Sequence, residues 1–249
     1  MIKKLYLNLI IVCCIIISQH LYGQTATNDT TAQSSALTNI ADAYNNAIGQ
    51  QSRLYNGPEY SPYNPTIKGN AYFTDINTFA TGTVTYDGIF YKNVAMMYDL
   101  YRDVVAVRLY NGFSIFTLLN ERVQSFDLLS HHFIYIKADS LSAKVGLNTG
   151  IYDQLYNSDL EVLVKRSKTL QSTSGTSSLE TYFTTPSLYF YLKKGGSYYS
   201  VNGQNVLLNI LKDRKKELQQ YIKTNKIKFR KTPEEAIIAI ATEYDRLSR

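Results

Sequence analysis

Between Ala71 and Val201, short runs of Val, Ile, Thr, Tyr and Phe are separated by dipeptides suited to a reversing chain, and this punctuation constrains the fold more than any other feature. Asp87-Gly88 lies between TVTY and IFYK, Asn111-Gly112 between DVVAVRLY and FSIFTLL, and Gly195-Gly196 between SLYFYLKK and SYYSV. Both central residues of a type I′ turn need positive φ, which Gly accepts freely and Asn or Asp at small cost, so each dipeptide predicts a two-residue hairpin and with it a register. Tyr86 should face Ile89, putting Val84, Tyr86, Ile89 and Tyr91 on one side. Tyr110 should face Phe113, Val107 Phe116 and Val105 Leu118; Leu192 should face Tyr199 and Phe190 Val201. Further runs at 94–98, 122–128, 132–137, 150–156 and 160–170 bring the total to about ten strands with short connections, which favours an antiparallel meander. Residues 171–180, QSTSGTSSLE, have the composition of a mobile surface loop.

On either side the apolar period changes to that of a helix. Leu37, Ile40, Ala41, Tyr44, Ala47 and Ile48 predict one amphipathic helix over 36–53, and residues 54–70, with three of the five prolines, predict a loop of successive turns. After Asn202-Gly203, Leu207, Leu211, Leu218 and Ile222 share a stripe that predicts a second helix ending near Asn225. Thr232-Pro233-Glu234-Glu235 predicts the start of a third, with Thr232 as cap and Glu235 closing a capping box. The alternation Lys226-Ile227-Lys228-Phe229-Arg230 resembles a short, charge-protected edge strand. The expected class is therefore α+β: a mainly antiparallel β meander, curved or partly closed, with one N-terminal and two C-terminal helices. It forms one domain over 36–249, β-rich over 71–201, with a helical tail at 204–249 that docks onto the sheet.

Met1-Ile2-Lys3-Lys4 followed by the apolar stretch Leu5 to Ile17 has the order of a secretory signal peptide. The stretch is about 13 residues, short of the roughly 20 that span a bilayer. Residues 1–23 are expected to be removed and 24–35 to form a flexible polar lead. Cys13 and Cys14 both lie in that stretch, so the exported chain would carry no thiol for a disulfide, a metal site or a nucleophile, and no cysteine sits at the cut to take a lipid anchor. The expected location is the periplasm, the outer-membrane periphery or the exterior.

The charge excess is local. Residues 212–231 hold nine basic and two acidic residues, a net of +7, whereas 24–211 hold 13 basic and 14 acidic. Arg214, Lys215 and Lys216 are the candidate contacts with an anionic surface. Export argues against nucleic acid, and the chain is peripheral to a membrane at most. His131 and His132 are the only histidines after the leader; on a strand, adjacent rings point to opposite faces and do not share an ion. No Gly-x-Ser-x-Gly elbow, phosphate loop, dinucleotide fingerprint or His-Glu-x-x-His occurs, and no metal or cofactor is expected. Asp87, Asp99, Asp103, Asp127 and Glu180 are the carboxylates open to paired acid–base chemistry on a glycan; their ordinary reading is turn and surface.

Tyrosine is the compositional outlier, with 22 Tyr and 10 Phe against no Trp. In the Asn111-Gly112 hairpin both faces are apolar: Val105, Val107, Phe116 and Leu118 fill one, while Val104, Tyr110, Phe113, Ile115 and Leu119 fill the other, broken only by Arg108 and Thr117. Both faces need cover, and Tyr110, Phe113, Arg108 and Ile115 are the candidate ligand contacts. The blocks LYNGPEY (54–60), GTVTYDGIFYKNVAMMYDL (82–100) and KELQQYIKTNKIKFRKTPEEAI (216–237) resemble those of uncharacterised exported β-rich proteins of Gram-negative bacteria. That resemblance implies the compartment and no activity. The expected function is a non-catalytic binding or scaffold protein of the cell envelope with a tyrosine-rich apolar surface, its partner a lipid, a glycan or an envelope protein. The alternative is a glycan- or peptidoglycan-acting hydrolase using a carboxylate pair.

Overall fold

The structure, a computed structural model, describes residues 52–174 and 179–249 together with the helical positions 35, 36, 39, 40, 43 and 47. The chain divides into two compact units, Met1–Ala43 and Tyr44–Arg249. The expected leader, nearly all of the lead and most of the 36–53 helix lie outside the described residues. Arg53 itself belongs to a 3-10 turn, Arg53–Tyr55, capped by the Ser52 hydroxyl.

The second unit holds twelve strands: β1 Ala80–Tyr86, β2 Ile89–Asp99, β3 Val104–Arg108, β4 Ile115–Thr117, β5 Val123–Leu128, β6 His131–Ile136, β7 Gly150–Asn157, β8 Glu161–Ser167, β9 Leu170–Ser174, β10 Leu179–Phe183, β11 Ser187–Lys194 and β12 Ser197–Val201. From residue 52 on, its described α-helices are α1 Ser140–Lys144, α2 Gln204–Ile210, α3 Lys215–Thr224 and α4 Pro233–Ser248. Ten strands form one antiparallel sheet in the order β12-β11-β8-β7-β6-β5-β1-β2-β3-β4, and β9 pairs with β10 separately. The sheet is open, which corrects the expectation of partial closure. The outer side of β4 is taken by residues 58–60, through Tyr60 N–H to Ile115 O (2.8 Å) and Thr117 N–H to Pro58 O (2.9 Å), so β4 does not reach another strand. The meander is broken twice: after β4 the chain returns through a 3-10 turn, Asn120–Arg122, and β5 pairs with β1, and after β8 the separate β9–β10 pair comes before β11, which pairs with β8.

All three hairpins keep the expected strand register, and two of them close with the expected two-residue turn. Tyr86 faces Ile89 across Asp87 (φ 55°) and Gly88 (φ 77°), and Leu192 faces Tyr199 across Gly195 (φ 56°) and Gly196 (φ 79°). Val107 faces Phe116 as expected, but that ladder stops at Arg108–Ile115. The Asn111 side-chain oxygen accepts the amides of Phe113 and Ser114, opening the tip into a wider loop in place of a two-residue turn. The Ser/Thr-rich stretch is not a free loop where described: β9 and β10 pair from Leu170–Phe183 to Ser174–Leu179, because Thr and Ser sit well on a pleated surface and bond across it, as Ser172 does with Thr181.

The helical tail differs in three places. The single helix expected through Leu207 and Ile222 breaks at Leu211 (φ −96°, ψ 37°) into α2 and α3. Thr232 makes no side-chain cap; only its carbonyl opens α4, accepting Ala236 N–H, with Pro233 in the first turn. Residues 226–230 form turns, not an edge strand.

Strand alternation sorts the core by face. One face gathers Val84, Met96, Tyr98, Val105, Val107, Phe126 and Phe133. On β8, β11 and β12 it carries Val162, Val164, Phe190, Leu192 and Val201, which pack with Leu207, Leu211, Leu218, Ile222, Ile237, Ile240 and Tyr244 of the tail. Each such aliphatic or aromatic side chain contributes about 1.5–3 kcal/mol when fully buried, so these stripes hold the tail to the sheet. The opposite face is covered twice: Tyr60, Tyr72 and Phe79 lie over Met97 and Ala106, and Val145 and Leu147, beside α1, lie over Tyr152, Leu163 and Tyr191.

Candidate functional site

Where β11 begins and β12 ends, the sheet and the tail leave an open groove of about 1010 Å³. The hairpin register places Phe190 opposite Val201, and Leu188, two residues earlier on the same face, extends this apolar floor. The far wall is the α3–α4 connector. Ile227 N–H bonds Ile222 O, and Lys228 O accepts the amides of Lys231 (2.9 Å) and Thr232 (3.1 Å), so the connector folds as a tight turn. Ile227 and Phe229 are half-buried against the tail core, while Lys228, Arg230 and Lys231 stay exposed on the rim. Asn202–Val206 and Pro233 complete the lining. No Asp, Glu or His lines the groove, and among the described residues no carboxylate is paired with its three cations. The arrangement can hold an apolar chain on the floor and a negative charge at the rim.

The residues singled out from sequence lie elsewhere. Tyr110 (68 % exposed) and Phe113 (89 % exposed) stand at the β3–β4 tip, where Tyr110 meets the edge of the Tyr55 ring. Arg108 turns away onto Phe79, its guanidinium carbon 4.7 Å from the ring centre, and Ile115 packs with the Tyr60–Tyr72 cluster. The four are therefore not gathered in one pocket. Arg214 pairs with Glu217 (3.7 Å) and Lys215 donates to Asn209 Oδ1 (2.8 Å); neither they nor Lys216 line the groove. The groove cations Lys228, Arg230 and Lys231 belong to the same basic segment, at its other end.

The two histidines face opposite ways, as strand alternation requires. His131 Nδ1 lies 2.7 Å from Asp153 Oδ2 and His132 Nδ1 2.6 Å from Asp127 Oδ1. Burial alone raises Asp127, but the Thr83 hydroxyl and His132 together hold it below the usual carboxylate range. Asp153 is almost fully buried, and Arg166 donates Nε (3.0 Å) and Nη2 (2.7 Å) to it while reaching Glu234 of α4 through Nη1 and Nη2, both at 2.8 Å. Burial opposes the charge on Arg166, and the two carboxylates outweigh it, leaving the guanidinium more basic than usual.

Asp99 corrects the turn-and-surface reading, whereas Asp103 does sit in the turn before β3 and is only partly covered. Asp99 is completely buried: its Oδ2 accepts the hydroxyls of Tyr60 (2.9 Å) and Tyr63 (2.7 Å), and its Oδ1 accepts the amides of Tyr101 and Arg102. Asp103 takes Tyr98 Oη–H (2.7 Å) and Lys165 Nζ (2.6 Å). Burial pushes Tyr60, Tyr63 and Tyr98 well above the normal phenol range, and the nearby carboxylates add to the shift. Burial lowers Lys165 more than Asp103 raises it. Asp87 and Glu180 are the expected surface partners of Arg122 and Lys68. Comparison with family models, with curated proteins and with solved structures returned no match.

Proposed function

We propose that the chain is an exported, non-catalytic binding protein of the bacterial cell envelope, and that the β11–β12 groove holds an anionic amphiphile, a lipid with its acyl chain on Leu188, Phe190, Val201 and Phe229. The observation that carries this is the pairing of an apolar floor with three cations and no acid. At about 25 cal/mol per Å² the floor rewards any apolar chain, while Lys228, Arg230 and Lys231 select a negative headgroup at roughly 0.2–1 kcal/mol for each exposed charge contact. Glycan hydrolysis has less support. It needs two carboxylates facing one substrate, whereas Asp87, Asp99, Asp103, Asp127 and Glu180 are each bound to a partner in the fold and none lines the groove. Export is part of the proposal and rests on the order of charge and apolarity in residues 1–23.

The test is mass spectrometry of lipids that copurify with the protein from its native envelope, beside a Phe229→Asp variant that places a carboxylate on the apolar far wall. Anionic lipid enriched in the wild-type sample and lost from the variant is the expected result. Equal lipid content in the two samples, or a bound glycan or protein in place of lipid, would overturn it.

A further inference from the structure

We infer that the outer edge of β12 pairs with β12 of a second copy of this chain, joining two ten-stranded sheets about a two-fold axis at Tyr199. The two edges of the sheet are treated differently. β4 is three residues long and its outer side is bonded by residues 58–60, but among the described residues no strand pairs with the outer side of β12. Sheet edges are normally guarded by charge, proline or a bulge, and Ser197-Tyr198-Tyr199-Ser200-Val201 has none: its ladder with β11 runs without a register shift.

The hairpin determines which groups are offered. Across a two-residue turn the flanking pair, Lys194 and Ser197, is hydrogen-bonded, so Tyr199 and Val201 also point their backbone groups toward β11. The N–H and C=O of Tyr198 and Ser200 therefore point outward. An antiparallel copy can satisfy both residues in one symmetric register, with Tyr198 opposite Ser200 of the second copy, Ser200 opposite its Tyr198, and the two Tyr199 residues facing each other across the axis. The strand is five residues long with Tyr199 at its centre, so the same register pairs its whole length. Charge permits the approach: β12 is uncharged, and Lys193 and Lys194 on the neighbouring strand are matched by Glu161 (3.3 Å) and Asp213 (2.7 Å). The half-exposed Tyr199 rings then cover each other. A five-residue ladder falls short of the roughly 1,200–2,000 Å² of a standard interface, so the association is weak and reversible.

Sedimentation of the purified chain from about 5 to about 500 µM should show the average mass rising toward that of a dimer. Ser200→Pro removes an outward N–H that β11 does not use, and a proline is tolerated at that place on an edge strand. It should weaken association at least about tenfold while leaving the melting temperature within a few degrees. The second variant reads the axis directly. Facing residues of a non-hydrogen-bonded pair lie about 4.5 Å apart at Cα, within disulfide range. With Cys13 and Cys14 replaced by serine, Tyr199→Cys should oxidise to a covalent dimer much faster than Tyr189→Cys, an exposed position on β11. A mass that stays monomeric over that range, association unchanged by Ser200→Pro, or equal crosslinking of the two cysteine variants would overturn the inference.

Discussion

Replacing Arg166 by Met keeps most of the side-chain volume and removes the one cation that joins β8 to α4. Its guanidinium makes two bonds to Asp153 and two to Glu234, and its side chain is only 10 % exposed. Without it Asp153, 1 % exposed on the adjacent strand, keeps His131 as its remaining side-chain partner. Breaking a buried pair by removing one member costs about 3–5 kcal/mol, because the other charge cannot regain its water. Glu234 is 29 % exposed and can be rehydrated, so Glu234→Gln should cost only about 0.5–1.5 kcal/mol. For a domain of this size 1 kcal/mol moves the melting temperature by roughly 2–4 °C, so Arg166→Met should lower it by about 6–20 °C and Glu234→Gln by a few degrees. The double variant Asp153→Leu with Arg166→Met removes both buried charges and should recover much of the loss. Urea unfolding of the wild type, the single variants Arg166→Met, Glu234→Gln and Asp153→Leu, and the double variant reads this directly. A cost below about 1 kcal/mol for Arg166→Met, or a double variant as unstable as the Arg166→Met and Asp153→Leu losses summed, would show that the buried charges are not coupled.

Leu218, fully buried between the sheet and α4, should cost about 2–5 kcal/mol when cut to Ala, read by urea unfolding. Deleting residues 204–249 should abolish cooperative unfolding, since it strips the apolar cover from Val162, Val164 and Leu192; an unchanged melting temperature would make the tail a detachable element. Tyr60, Tyr63, Tyr98 and Tyr152 titrate above the normal phenol range in the folded chain, chiefly because burial disfavours the phenolate. Unfolded phenols ionise near pH 10, so the stability these groups contribute is fully present below about pH 10 and is lost as pH rises past it. The melting temperature should fall steeply above that pH, and part of the absorbance rise near 295 nm should arrive only with unfolding.

The parts of this fold that were legible are those governed by neighbours in sequence. Asp87-Gly88 and Gly195-Gly196 demand positive φ, and that local demand fixes which residues face each other on both sides. At Asn111-Gly112 the register was readable but the tip was not, because the Asn111 side chain chose between a turn and its own amide bonds to Phe113 and Ser114. Pairing of β5 with β1 and not β4 was hidden, since it depends on residues 58–60 occupying β4 from far along the chain. The burial of Asp99 and Asp153 was hidden for the same reason. Their partners Tyr60, Tyr63 and Arg166 lie 13 to 39 positions away, and a lone Asp before a turn looks the same whether or not a tyrosine arrives to cover it. The groove arises where a hairpin end and a helical connector meet, so its basic residues were visible as a run but its shape was not.

In the proposed function the β11–β12 groove selects an amphiphile by negative charge. Calorimetric titration of the purified chain with two lysophospholipids of the same acyl length, one with a phosphoglycerol and one with a phosphocholine headgroup, both below their micelle concentrations, tests it most directly. Three rim cations worth about 0.6–3 kcal/mol in sum predict a preference of about threefold to somewhat over a hundredfold for phosphoglycerol. That preference should disappear when Lys228, Arg230 and Lys231 are all changed to Ala. Equal affinity for the two lipids, or a preference that survives the triple substitution, would mean that the rim cations do not select the headgroup.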